Sequence, residues 1–189
     1  MVESNLTPLV RPNLDILFVG LNPATGSSQN RHYFSVVQSF WSQLFEAGLI
    51  ISYVDKSNAD DRVFQSTEIN LNNWSYGITD LVTEFAESDS TKIKPTILHI
   101  QHLINTIKDN KPLVVILLHG KVVEKVLTFL GCGVPNANSG ELGKILNDCE
   151  VNFFNIAFPH GNAITSLDKV KRYIEVKNYL IQKKSSNSN

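Results

Sequence analysis

The chain has 189 residues, 42% of them hydrophobic and 19% charged, and its 17 basic and 18 acidic side chains leave a formal charge of −1. Length and composition fit one globular domain with a full core and exclude a disordered, collagen-like or coiled-coil protein. The near-zero charge argues against a protein that coats nucleic acid electrostatically, and no apolar run approaches the roughly 18 residues of a membrane span.

The start, MVESNLTPLV, has no basic segment leading into an apolar stretch, so no signal peptide is expected. Residues 14–20 (LDILFVG) form a short run of branched and aromatic residues ended by glycine, the pattern of a strand buried on both faces. It runs into LNPATGSSQN, dense in turn formers. Val36, Val37, Phe40, Trp41, Leu44, Phe45 and Leu49 then recur at helical spacing. Residues 51–75 are irregular and are expected to wrap the surface, and 77–82 (GITDLV) read equally as strand or turn.

A second helix is expected over 95–108, with Ile97, Ile100, Leu103, Ile104 and Ile107 on one face. The run 113–118 (LVVILL) is the strongest strand pattern. It closes at His119-Gly120 and leads into a helix with Val122, Val123, Val126, Leu127 and Leu130 inward. The loop GCGVPNANSG precedes a strand at 151–157, which ends in Phe158-Pro159-His160-Gly161-Asn162. A long amphipathic helix over about 167–181 completes the pattern. Cys132 and Cys149 can form neither a disulfide framework nor a four-cysteine metal site, and a reducing, cytoplasmic setting is expected.

Alternating strands and helices predict a three-layer α/β/α sandwich with a short, mainly parallel sheet, in one domain over 1–182, with 183–189 as a disordered tail. In such sheets ligands bind beyond the carboxyl ends of the strands, which places the site between the loops 20–30 and 158–166. The first loop lacks the G-x-G-x-x-G and G-K-[S/T] patterns of phosphate cradles, and Pro23 removes a backbone donor. No G-x-S-x-G elbow is present, and the five histidines show no metal-ligand spacing. His99 and His102 read as exposed or helix-capping residues without an acidic partner. His119 and His160 each end a strand on the functional edge. Charge is unevenly spread. From 151 onward six basic residues stand against two acidic ones, which permits a locally basic face or an ordinary solvated helix.

LFVGLNPATGSSQNRHYFSVVQSFWSQLFEAGLI resembles the first motif region of the uracil-DNA glycosylase superfamily, nearest to its mismatch-specific uracil/thymine-DNA glycosylase branch. The branch hallmark G-I-N-P-G is here Gly20-Leu21-Asn22-Pro23-Ala24, followed by an aromatic at Phe34 and the pair Phe40-Trp41. GITDLV is similar to the branch segment G-V/I-T-x-L-V, and LLHGKVVEKVL to its strand–glycine–lysine–helix segment. FPHGNAITSLDKV aligns without gaps to the second motif, N-P-S-G-L-S-x-x-S-L-E-K. The resemblance spans residues 14–180.

It implies an enzyme that flips a base out of DNA and hydrolyses its N-glycosidic bond without metal or cofactor. Asn22 would hold the attacking water, backbone groups of Gly20, Leu21 and Pro23 would contact the base, and Phe34 would stack on it. The second motif departs from the pattern. Phe158 replaces a hydrogen-bonding residue beside the base, His160 replaces serine and would donate to the base in its stead, and Asn162 replaces the leucine wedge. Asn162 would then contact the orphaned base, or Ile164 would be the wedge. Gly161, Ala163 and Lys121 complete the implied DNA contacts. The implied partner is DNA carrying a damaged or mismatched base, acted on by a monomer. The alternative is a catalytically silent relative that binds a nucleobase, DNA or a protein. An N-glycosidase for free nucleosides is a third reading.

Overall fold

The two strongest apolar runs lie side by side at the middle of one sheet. The computed structural model describes residues 2–186. In chain order the elements are β1 (Val2–Glu3), β2 (Ile16–Gly20), α1 (Thr25–Asn30), α2 (Ser39–Glu46), β3 (Tyr76–Asp80), β4 (Phe85–Ala86), α3 (Ile97–Asn110), β5 (Val114–Leu117), α4 (Gly120–Phe129), β6 (Gly140–Gly143), β7 (Asn152–Asn155) and α5 (Ser166–Ser186). The sheet order is β3-β2-β5-β7-β6, parallel except for the antiparallel edge strand β6, while β1 and β4 pair separately.

Both faces of the sheet are covered. Ile16, Phe18, Ile116 and Phe154 point to the side of α2 and α5, where they meet Phe40, Trp41, Tyr173 and Val176. Leu17, Val19, Val115, Leu117 and Phe153 point the other way, toward Ile100, Leu103 and Ile107 of α3 and Val122, Val126 and Leu127 of α4. This is the expected three-layer sandwich. Burial on both faces explains why β2 and β5 read as unbroken apolar runs. From β2 the chain moves to β3 on one side and returns to β5 on the other. The carboxyl ends of β2 and β5 therefore flank a topological switch point, where open α/β sheets leave a crevice.

Several expectations are corrected. Val36 and Val37 precede α2, because Phe34 adopts φ 51° and breaks the helical path. The turn-rich stretch contains α1, ended by Arg31 in the left-handed region. Residues 77–82 are mostly strand, in register with β2. Residues 51–75 do more than wrap the surface, since Ala59, Val63 and Phe64 are fully buried. Ile97 is exposed rather than on the inward stripe of α3. The edge strand β6 has no strand pattern in its sequence, GELG. Asn152 Nδ2 donating to Glu141 Oε1 (2.8 Å) helps to hold it. α5 continues through Ser186, so 183–186 are helical rather than a tail, and 187–189 lie outside the described residues. Among the described residues no helix is long and apolar enough to cross a membrane.

Candidate active site

A cavity of about 680 Å³ opens at the switch point, between the loop that follows β2 and the loop that follows β7. The sequence-predicted residues Gly20, Leu21, Asn22, Pro23, Phe34, Phe158, His160, Gly161, Asn162 and Ile164 all line it. Ala163 lies in the same loop but faces a neighbouring surface hollow.

The first loop is held by its main chain. Leu81 N–H donates to Gly20 O and Val82 N–H to Leu21 O, both at 2.9 Å, and Glu87 N–H donates to Pro23 O at 3.0 Å. Asn22 is fixed on this frame. Its Nδ2 donates to Pro23 O (2.9 Å) and Glu87 O (2.8 Å). Both amide hydrogens are thus used, and the remaining group is the acceptor Oδ1, which has no protein partner among the described residues.

Phe34 is a platform. One ring face stacks on Phe40 (centroids 4.1 Å apart, planes 21° from parallel), and Trp41 meets it edge-on at 6.2 Å. Positive φ is uncommon for a bulky residue, and such conformations concentrate at functional positions. Trp41 Nε1 stabilises this one by donating to Phe34 O (3.2 Å). Upstream, Tyr33 N–H donates to Asp60 Oδ2 (2.7 Å) and His32 Nδ1 lies 2.9 Å from Asp60 Oδ1, so the approach to Phe34 is anchored from behind. His32, Asp60 and Asp61 place ligand atoms within 4.8 Å of one another, a grouping the histidine spacing did not reveal.

In the second loop Phe158 tilts against Phe34 (5.9 Å) and carries His160 against its edge (5.0 Å). His160 is exposed but borders the cavity. Partial burial, then the nearby Lys169 ammonium, lowers its pKa and favours the neutral ring. Asn162 does not present a free amide to a partner base. Its Nδ2 donates to Phe158 O (2.7 Å) and His160 O (3.1 Å), and its Oδ1 accepts from Ile164 N–H (3.2 Å). It braces the loop, leaving half-buried Ile164 as the apolar residue at the rim. Below, Pro159 O accepts from Gln43 Nε2 (3.0 Å) and from the buried Lys169 Nζ (3.2 Å).

Lys121 departs from its expected role. Its ammonium donates to Ser90 O (2.5 Å) and Ile93 O (3.2 Å), so it ties a turn rather than awaiting DNA. The basic residues of α5 are similarly occupied. Lys171 pairs with Asp168, Arg172 with Glu175, Lys184 with Asp15, and Lys177 donates to Ala47 O. His99 caps α3 and, contrary to expectation, has an acidic partner, with Nε2 2.6 Å from Glu84 Oε1.

Two site residues escaped the motif alignment. His119 Nδ1 accepts from Lys121 N–H (3.1 Å), which places the ring hydrogen on Nε2. Burial, then the Lys121 charge, lowers its pKa, so the cavity is lined by a neutral imidazole with one fixed donor. Asp80, the last residue of β3, also lines the cavity and is 8% exposed. Burial alone pushes its pKa up to about 7. The signal for His119 was its position closing a strand. For Asp80 the signal was a carboxylic acid at the end of a segment whose strand character was ambiguous.

No curated protein matches the sequence. The pattern of the Uracil DNA glycosylase superfamily matches residues 7–178, nearly all of the strands and helices described above. A fold of this layering, with its cavity opening directly on the Gly20-Leu21-Asn22-Pro23 loop, agrees with that match, and the chain belongs to the uracil DNA glycosylase superfamily.

Proposed function

We propose that the protein is a monofunctional DNA glycosylase that hydrolyses the N-glycosidic bond of uracil, or of a related deaminated or mismatched base, in the manner of the mismatch-specific branch. The observation that carries this reading is the fixed amide of Asn22. With both donors held by Pro23 O and Glu87 O, its Oδ1 is left to accept a hydrogen bond from a water beside the sugar.

The remaining roles follow from the chemistry. A flipped base enters the cavity and stacks on the side of Phe34 that lines it, with Phe40 stacked on the ring as backing. As the C1′–N bond lengthens, its electron pair moves into the base and the sugar becomes oxocarbenium-like. A donor at the base oxygen then strengthens its bond in the transition state. His119 suits that task through its fixed Nε2–H, with His160 as a second neutral imidazole on the rim. Water held by Asn22 adds to C1′. Ile164 is the apolar residue placed to enter the gap left by the base. Neither metal nor cofactor is required by this scheme.

The test is a duplex oligonucleotide carrying one uracil, incubated with the protein and then treated with alkali. The reading expects strand breaks at the uracil with wild type and their near absence with Asn22→Ala. No breaks with wild type, on uracil or on mismatched and other deaminated bases, would favour a catalytically silent binder. Base release from free deoxynucleosides alone would favour the nucleosidase reading.

A further inference from the structure

We propose that Asp80 is the group that takes the proton from the attacking water, so that the catalytic base of this chain stands on β3 rather than in the loop after β2. The inference rests on the glycosylase reading and deepens it. An amide such as Asn22 can hold a water but barely accepts its proton. The site therefore has a place for a base.

The geometry puts a carboxyl on the cavity wall beside the first residue of the Asn22 loop. Asp80 is the register partner of Gly20, so both residues address the sheet face that carries Phe18 and, beyond it, Phe34 and Phe40. A Cβ on Gly20 would stand 2.2 Å from Asp80 Oδ1, which means the absent side chain of the motif's first glycine is the space the carboxyl occupies. The ladder continues past the strands through Leu81 and Val82, locking this carboxyl beside the first residues of the Asn22 loop.

The carboxyl also lacks any structural employment. Oδ2 is buried without a hydrogen-bond partner, and no ion pair reaches either oxygen among the described residues. A buried, unpartnered carboxyl is destabilising. Its neighbours explain why it is not simply ionised. The titratable groups that share its cavity are Tyr33, Glu87, His119 and His160, and none is a fixed cation. Tyr33 is close enough that the Asp80 charge, after burial, raises the phenol's pKa. With its own pKa near neutrality, Asp80 is matched to general-base work at physiological pH.

In the step, the C1′–N bond breaks with its electron pair going to the base, and water oxygen forms the C1′–O bond. One water proton passes to the ionised Asp80 carboxylate. The base leaves as an anion and is protonated by solvent, and Asp80 returns its proton to bulk water when the product departs.

The experiment is single-turnover base release from a uracil duplex between about pH 5.5 and 9, for wild type and Asp80→Asn, with duplex affinity measured in parallel. The wild-type rate is expected to rise with pH and level off above about 7. Asp80→Asn should be about 100-fold slower or more at the plateau and flat with pH, with affinity little changed. A variant within about threefold of wild type, or a wild-type rate that ignores pH, would overturn the proposal while leaving the glycosylase reading standing. Absence of release by wild type at every pH would instead overturn the reading and this proposal with it. Carboxyl carbon NMR of the wild type gives a check independent of the variant's folding. A midpoint near 7 supports the assignment, and one near 4 refutes it.

Discussion

Asn22 binds two carbonyls as well as a prospective water, so its replacement has two separable consequences. Asn22→Ala should lower base release by about 100-fold or more. It should also cost about 1–2 kcal/mol of stability through the two lost bonds, measurable by urea denaturation. Phe34→Leu keeps apolar bulk against Phe40 but loses the stacking face, and should weaken substrate binding by about 1–3 kcal/mol while the domain stays folded. A structural role alone would leave binding unchanged. Asp80 makes a prediction about stability. Its folded pKa is raised from 3.8 to about 7, so the folded state binds this proton more tightly than the unfolded chain does. The group's contribution is intact below about 4 and is lost as pH rises through about 7, a swing of up to about 4 kcal/mol. Asp80→Asn should therefore match wild type at about pH 4 and exceed it at about pH 8 in chemical denaturation. A variant less stable than wild type at both pH values would contradict the burial account. Residues such as Asn22 and Phe34 were legible because their types and spacing match a family motif. His119 was legible as a residue closing a strand on the functional edge, whereas Asp80 was not, since what matters in it is a register partner, Gly20, that lies far away in sequence.

At the scale of elements, the sequence spoke clearly where one physical demand dominated. The runs around β2 and β5 are buried on both faces and are apolar, while in β7 the buried Asn152 and Asn155 flank Phe153 and Phe154 with their amides hydrogen-bonded. The periodicity of α3, α4 and α5 likewise located those helices to within a few residues. It failed where tertiary contacts overrode local preference. The apolar spacing from Val36 continues the helical phase of α2, yet Asp60 and Trp41 hold the chain in another path that presents Phe34. β6 is built from glycine and glutamate and exists through pairing with β7. The loop after β7 offers the sharpest test at this scale. Asn162 makes three bonds within an exposed turn, so Asn162→Ala should cost no more than about 1 kcal/mol globally. Amide exchange at 158–164 should nonetheless quicken and base release slow, because Phe158 and His160 ride on that loop. Unchanged exchange would show that the anchors beneath Pro159 suffice.

The whole molecule carries almost no net charge, and the lysines and arginines that made a basic face conceivable largely serve internal partners. Each phosphate neutralised by a protein cation contributes about −0.9 to the slope of log affinity against log salt. A protein with so few available cations should show a slope no steeper than about −3 on duplex DNA, and a slope near −6 would reveal a basic surface assembled on binding. Affinity on this account comes chiefly from the flipped base in its cavity. The most direct test is to incubate the protein with a uracil-containing duplex, quantify released base by mass spectrometry against abasic sites formed, and add borohydride to trap any covalent adduct. The account predicts free base and abasic sites in equal amounts, no trapped protein, and loss of both products in Asn22→Ala. Wild-type protein that binds the duplex yet releases no base from any lesion would contradict it.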